Sequence, residues 1–149
     1  QLARHLPTGR LRLADLGSGA GLPGLVLAML GVPEVHLVES DKRKAQFLRE
    51  AARRLTLDNV RVHAVRIETL TLEVDVVTAR ALAPLIDLLS LATPLLAPGG
   101  RLLLLKGRTA EAELAAAAES WAIRVAVEPS VADPLGRVLV LDEVHARGH

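Results

Sequence analysis

The stretch Leu11–Gly24, LRLADLGSGAGLPG, constrains this chain more than any other. Leu11, Leu13 and Leu16 have the apolar character of a short buried strand, and Asp15 stands near its end. Gly17, Gly19 and Gly21 follow at alternate positions, and Leu22–Gly31 reads as a helix. A strand closed by an acid, a glycine-rich turn and a helix start together predict a pocket for a nucleotide-like ligand. Glycines let the backbone turn tightly and let a ligand approach without a Cβ in the way. The free N–H groups of the helix start favour an anionic part of that ligand.

Two cofactor types fit the loop. Asp15 with Gly17, Gly19 and Gly21 matches the S-adenosylmethionine pattern D-x-G-x-G-x-G, which makes Asp15, Gly17, Ser18, Gly19, Gly21 and Leu22 candidate cofactor contacts. Gly19, Gly21 and Gly24 also satisfy the dinucleotide fingerprint G-x-G-x-x-G, and Glu39 lies at a suitable distance for that reading. Spacing leaves both open. Register favours the first, because the glycine that closes the strand is Gly17, whose own spacing fails the fingerprint.

With 149 residues the chain is long enough for one domain with a real core. Half of it is apolar, yet its only aromatics are Phe47 and Trp121, so the core is expected from Leu, Val and Ala. The lack of cysteine excludes disulfides, thiolate-bound metal and thiol catalysis. The five histidines have no metal-ligand spacing, so no metal is expected. No signal peptide and no apolar run of bilayer length stands out, which predicts a cytoplasmic protein away from membranes. A net charge of +1 argues against a domain that binds polyanions over its whole surface. The chain opens on Gln1 close to the first strand, and a preceding segment is expected to be missing.

Strand and helix patterns alternate. Strands are predicted at Leu11–Leu16, Val35–Glu39, Val60–Val65, Val74–Ala79, Arg101–Lys106, Ile123–Glu128 and Arg137–Glu143. Helices are predicted at Leu22–Gly31, Asp41–Leu55, Leu82–Leu96 and Thr109–Trp121, with Pro98-Gly99-Gly100 turning into the next strand. Short apolar runs separated by helices suit parallel strands with right-handed crossovers. Only Pro129–Gly136 separates the last two strands, too short for a crossover, so they are expected to form a hairpin with one member antiparallel to the sheet. The fold class expected is α/β: a seven-stranded, mostly parallel, Rossmann-like methyltransferase sheet ending in an antiparallel hairpin. That ending shifts the cofactor toward S-adenosylmethionine.

Ligands of open α/β sheets sit at the carboxyl ends of the strands. There, Glu39 can accept hydrogen bonds from both ribose hydroxyls, or it can be a helix-capping acid. Ile67 and Glu68 follow the third strand, where an adenine would lie. Arg80 follows the fourth, placed for a cofactor carboxylate or a planar base, unless it is an ordinary surface arginine. Lys106 ends LLLLK, leading either into the pocket or out to water. The helix DKRKAQFLREAARRL carries Lys42, Arg43, Lys44, Arg49, Arg53 and Arg54 against Glu50. It suits phosphates or a solvated face with a Glu50–Arg54 pair.

Several of these segments together resemble the bacterial RsmG family, also called glucose-inhibited division protein B. DLGSGAGLPG (Asp15–Gly24) is similar to its cofactor loop, Glu39-Ser40 with the basic run into Phe47-Leu48 to its D/E-S…K-R…F-L, Arg66-Ile67-Glu68 to its R-V-E, Thr78-Ala79-Arg80-Ala81 to its S-R-A and Lys106-Gly107 to its L-K-G. The likeness runs from about Leu11 to Val144. It implies a 16S ribosomal RNA guanine-N7 methyltransferase that uses S-adenosylmethionine and modifies guanine 527 in the 530 loop. It also implies cofactor contacts at Gly17, Leu22, Ile67, Glu68 and Arg80, with Glu39 on the ribose. Arg80 and Lys106 are the candidate catalytic residues, while Lys106, Lys42, Arg43 and Lys44 would face the RNA. The partner is then 16S RNA or the small ribosomal subunit, and a monomer is expected. The N-terminal helical region that the resemblance implies is expected to be missing here, and Arg43-Lys44 replaces the family's usual Lys-Arg.

Guanine N7 is an aromatic lone pair without a proton, open on the Hoogsteen edge. Its methylation requires no general base, so catalysis is mainly placement. With two aromatics in the chain, a guanidinium such as Arg80 or aliphatic side chains are expected to cover the base. Two rival readings are a methyltransferase of the same fold for a small molecule or protein, and a nucleotide-binding module without catalysis.

Overall fold

A computed structural model describes residues 11–17, 23–80, 84–107, 109–130 and 137–147. Its strands are β1 (Arg12–Leu16), β2 (Glu34–Val38), β3 (Val60–His63), β4 (Val74–Arg80), β5 (Leu96–Lys106), β6 (Trp121–Pro129) and β7 (Arg137–Ala146). They form one sheet in the order β3-β2-β1-β4-β5-β7-β6. The first five run parallel, and β7 lies antiparallel between β5 and β6. The expected α/β class, with its mostly parallel sheet and terminal hairpin, is therefore observed.

The helices are α1 (Gly24–Met29), α2 (Lys42–Arg54), α3 (Leu85–Ala92) and α4 (Ala110–Ala117). α1 and α2 bury Leu25, Leu27, Leu48 and Ala52 against one face of the sheet. α3 and α4 bury Leu85, Leu89, Ala110 and Ala117 against the other. The chain thus changes face between β1 and β4, which are neighbours, and this is the switch point where open α/β sheets bind ligands. β1 and β4 are buried along nearly their whole length, as strands covered on both faces must be.

Several boundaries differ from the sequence reading. α1 stops at Met29, and Gly31 (φ +101°) turns the chain behind it. The side-chain amide of Asn59 donates to the carbonyls of Ala28 (3.0 Å) and Val32 (2.7 Å), tying the turn behind α1 to the residue ahead of β3. α3 gives way to a 3-10 turn at Thr93–Leu95, because Pro94 has no N–H for the helical ladder. The Pro98-Gly99-Gly100 turn is absorbed into β5. The register jumps from Val74–Leu96 to Val76–Arg101, and Gly99 takes φ +79°. α4 ends at Ala117 rather than Trp121, since its alanines bury little and Trp121 packs on the core from the start of β6. The predicted helix starts Leu22 and Leu82 lie outside the described residues.

Candidate functional site

The glycine-rich loop leaves β1 through Gly17, whose φ of +66° favours glycine. The Gly17 N–H donates to the Val38 carbonyl (2.8 Å) and ties the loop to the end of β2. Asp15, 1% exposed, works beneath the loop. Its Oδ1 accepts from the Thr78 hydroxyl (2.7 Å) directly opposite on β4, and its Oδ2 accepts from the Gly24 N–H (3.1 Å). The carboxylate thereby clamps both ends of the loop to β4. Gly24 must be glycine, because a Cβ there would lie 2.5 Å from Leu37 Cδ2 and 2.6 Å from Asp15 Cβ. The other loop candidates Ser18, Gly19, Gly21 and Leu22 lie outside the described residues.

A cleft of about 230 Å³ opens beside Gly17 at the carboxyl ends of β1, β2 and β3. Val38, Glu39, Ser40, Val65, Ile67 and Glu68 contribute to its walls. Glu39 is 8% exposed, its N–H donates to the His63 carbonyl (3.0 Å), and its Oε2 accepts from the Asp41 N–H (2.9 Å). Asp41 in turn caps α2, accepting from the N–H groups of Arg43 (2.9 Å) and Lys44 (3.1 Å). Glu39 therefore braces the helix start and faces the cleft at once. Ile67 packs against the core in a 3-10 turn (Ile67–Thr69), and Glu68 beside it is exposed.

This donor set fits the nucleoside end of S-adenosylmethionine. A carboxylate can accept from vicinal hydroxyls, Val65 and Ile67 offer an apolar wall for a base, and Gly17 presents backbone without a Cβ. The cleft is smaller than the roughly 300–1,000 Å³ of pockets that enclose a whole ligand, so it takes part of one.

Arg80 and Lys106 stand at the same sheet edge but outside this cleft. Arg80 is the last residue of β4, paired in register with Leu105, and it is exposed. Lys106 departs from the expectation of an RNA-facing cation. Its side chain is 5% exposed and its ammonium lies 3.0 Å from Glu113. Glu113 also accepts from the Leu85 N–H (2.8 Å) and the Thr109 hydroxyl (2.9 Å). Burial alone would raise the Glu113 carboxyl, yet Lys106, Leu85 and Thr109 bring it below its ordinary value. Lys106 is thus an internal staple between β5 and α4, and Leu85 joins the start of α3 to it.

Lys42, Arg43 and Lys44 are exposed on the first turn of α2. Further along, Glu50 accepts from Arg53 and from Arg54 (3.2 Å), the expected helical pair included. Four residues that the sequence reading gave no site role shape the region: Thr78 and Gly24 support the loop, Glu113 holds Lys106, and His63 supports the Glu39 backbone. Gly24 carried a signal as the last glycine of the alternative fingerprint, and Thr78 opens the segment similar to S-R-A but otherwise reads as one more strand residue. Among the described residues no helix is long and apolar enough to cross a membrane, and no group of three or more His, Asp or Glu side chains is placed to hold a metal ion.

Comparison with known proteins follows the same lines. The family described as GidB, rRNA small subunit methyltransferase G, matches residues 1–136. The chain belongs to this family. It is 56% identical over 149 residues to ribosomal RNA small subunit methyltransferase G of Rhodospirillum centenum, covering 99% of this chain and 68% of that one. It is 58% identical over 145 residues to the protein of that name from Paramagnetospirillum magneticum, covering 97% and 70%. A SAM-dependent methyltransferase from Aquifex aeolicus superimposes with a TM-score of 0.76 at 16% identity, over 95% of this chain and 86% of that one, which is a likeness of fold. Membership in the GidB family decides between the two cofactor readings of the loop in favour of S-adenosylmethionine.

Proposed function

We propose that the chain transfers a methyl group from S-adenosylmethionine to guanine N7 of 16S ribosomal RNA, at guanine 527 of the 530 loop. The observation that carries this reading is the cleft at the β1–β2–β3 edge, where Gly17, Glu39, Ile67 and Glu68 meet in a GidB-family chain. Glu39 accepts from the ribose hydroxyls, Ile67 covers one face of the adenine, and Glu68 with its backbone meets the polar edge. Asp15 is a positioning residue, since its carboxylate acts on the loop through Thr78 and Gly24.

When bound, S-adenosylmethionine supplies a methyl group on a sulfonium, an electrophile that an unprotonated ring nitrogen accepts without a base. No side chain of this chain then has to remove a proton. Its residues have to orient the base and exclude water. Arg80 is exposed at the end of β4, which supports a role for its planar guanidinium in covering the guanine. The substrate is the RNA or the small subunit that contains it, met by the chain as a monomer.

The test is transfer of labelled methyl to small-subunit RNA and to 30S particles from cells that lack the modification, with strand cleavage specific for N7-methylguanine. One labelled guanine in the 530 loop is expected. Cofactor binding with label on a protein or a small molecule instead would overturn the RNA assignment.

A further inference from the structure

α2 leaves the sheet beside the cleft: Ser40 lines the cleft, and Asp41 caps the helix. Ala45, Leu48 and Ala52 are buried on its inner side, while Phe47 is 56% exposed. An isolated exposed apolar residue is ordinary. What distinguishes Phe47 is its setting. Arg43 and Lys44 precede it by four and three residues, so they lie on its side of the helix one turn nearer the cleft. Glu50, the one acid within Lys42–Arg54, is engaged by Arg53 and Arg54. Arg43 and Lys44 are in no ion pair among the described residues.

More than half of Phe47 is open to water. Beside two unpaired cations it forms a surface suited to single-stranded nucleic acid, where cations hold phosphates and the ring takes an unpaired base. A duplex, whose bases are already stacked, has no use for such a ring. Phe47 lies six residues beyond the cap, roughly 9 Å along the helix axis from the cleft edge, so a base on it belongs to RNA outside the target nucleotide. We infer that Phe47 stacks on an unpaired base of the RNA beyond the target nucleotide, with Arg43 and Lys44 on the adjoining phosphates. This rests on the RNA-methylating reading above.

The experiment measures binding of a fluorescent single-stranded RNA from the 530 loop, and of the same strand in a duplex, by anisotropy at fixed salt. The proteins are the wild-type chain and its Phe47→Ala, Phe47→Leu and Phe47→Trp variants. Ala and Leu are expected to weaken the single strand about tenfold, while Trp keeps its affinity. Duplex binding and thermal unfolding stay at wild-type values throughout. Wild-type affinity in Phe47→Leu, or equal losses on single strand and duplex, would overturn the stacking role. If Arg43→Gln with Lys44→Gln weakens RNA binding and Phe47→Ala does not, stacking fails while the RNA reading stands. If the wild-type chain prefers heparin to either RNA, the RNA reading fails and takes the stacking role with it.

Discussion

Thr78→Val tests the clamp under the glycine loop. Valine keeps the branched shape and nearly the volume of threonine, so packing on β4 changes little. What is lost is one hydrogen bond, from a fully buried hydroxyl to a carboxylate that is 1% exposed, at 2.7 Å. A neutral donor on a charged acceptor contributes about 1.5–3 kcal/mol, and here the acceptor has no access to water as a substitute. The expected loss is therefore ~2 kcal/mol. For a domain of this size that lowers Tm by about 4–8 °C. The carboxylate keeps its bond to the Gly24 N–H, so the chain still folds, but the loop between Gly17 and Gly24 is anchored at one end fewer. Affinity for S-adenosylhomocysteine, measured by titration calorimetry, should fall with it. Thr78→Ser keeps the hydroxyl and serves as the control: some stability is lost to the missing methyl, with cofactor affinity near wild type. A Thr78→Val variant within about 1 °C of wild type, with unchanged cofactor affinity, would refute the clamp.

Glu39→Gln leaves one carbonyl oxygen where two carboxylate oxygens stood, and cofactor affinity should drop about tenfold or more with little change in Tm, because hydrogen bonds to charged groups are the stronger ones. Arg80→Ala, at an exposed strand end, should cut methyl transfer sharply with cofactor affinity and fold intact; near-normal turnover would remove Arg80 from the reaction. The guanidinium of Arg12 holds the Asp75 carboxyl below its ordinary value, and Asp75 Oδ2 also accepts from the Arg12 N–H (2.9 Å). A depressed carboxyl pKa in the folded state means that this contribution is fully present above about pH 4 and is lost as the pH falls further. Asp75→Asn should therefore flatten the acid limb of a stability–pH curve and lower stability at neutral pH.

The sheet was legible because burial on both faces leaves a plain mark: LRLADL, VDVVTA and RLLLLK are near-continuous apolar runs. The hairpin followed from counting the residues between the last two strands. Where one turn chemistry met another, the reading slipped. Pro98-Gly99-Gly100 reads as the end of a helix, yet Pro94 had already ended it, and the later turn lies inside β5 as a bulge. The alanines of α4 predict a longer helix than the fold uses, since propensity yields to the burial of Trp121. Gly17, Glu39, Ile67 and Glu68 come together in one cleft because each follows a strand on the same sheet edge. For Lys106 the sequence left two directions open, into the pocket or out to water, and only the tertiary contact with Glu113, on the following helix, shows the charge answered inside the fold.

That internal pairing bears on how the edge divides its work. β1 alone separates β2 from β4, and neighbouring strands lie about 4.8 Å apart, so Arg80 stands roughly 10 Å across the edge from the strand that leads to Glu39. A ligand held by its ribose at Glu39 must pass over the end of β1 to bring a reacting group near Arg80. The described residue at that end is Gly17, in a conformation with φ +66° that holds its N–H on Val38. Lys106, one strand further on, has its ammonium on Glu113 rather than at the sheet edge. On the proposed function, recognition at β2 and β3 and reaction at β4 would lie on the two sides of β1. The carboxylate that fixes the start of that path is Asp15, two residues earlier on the same strand, hydrogen-bonded to β4 itself.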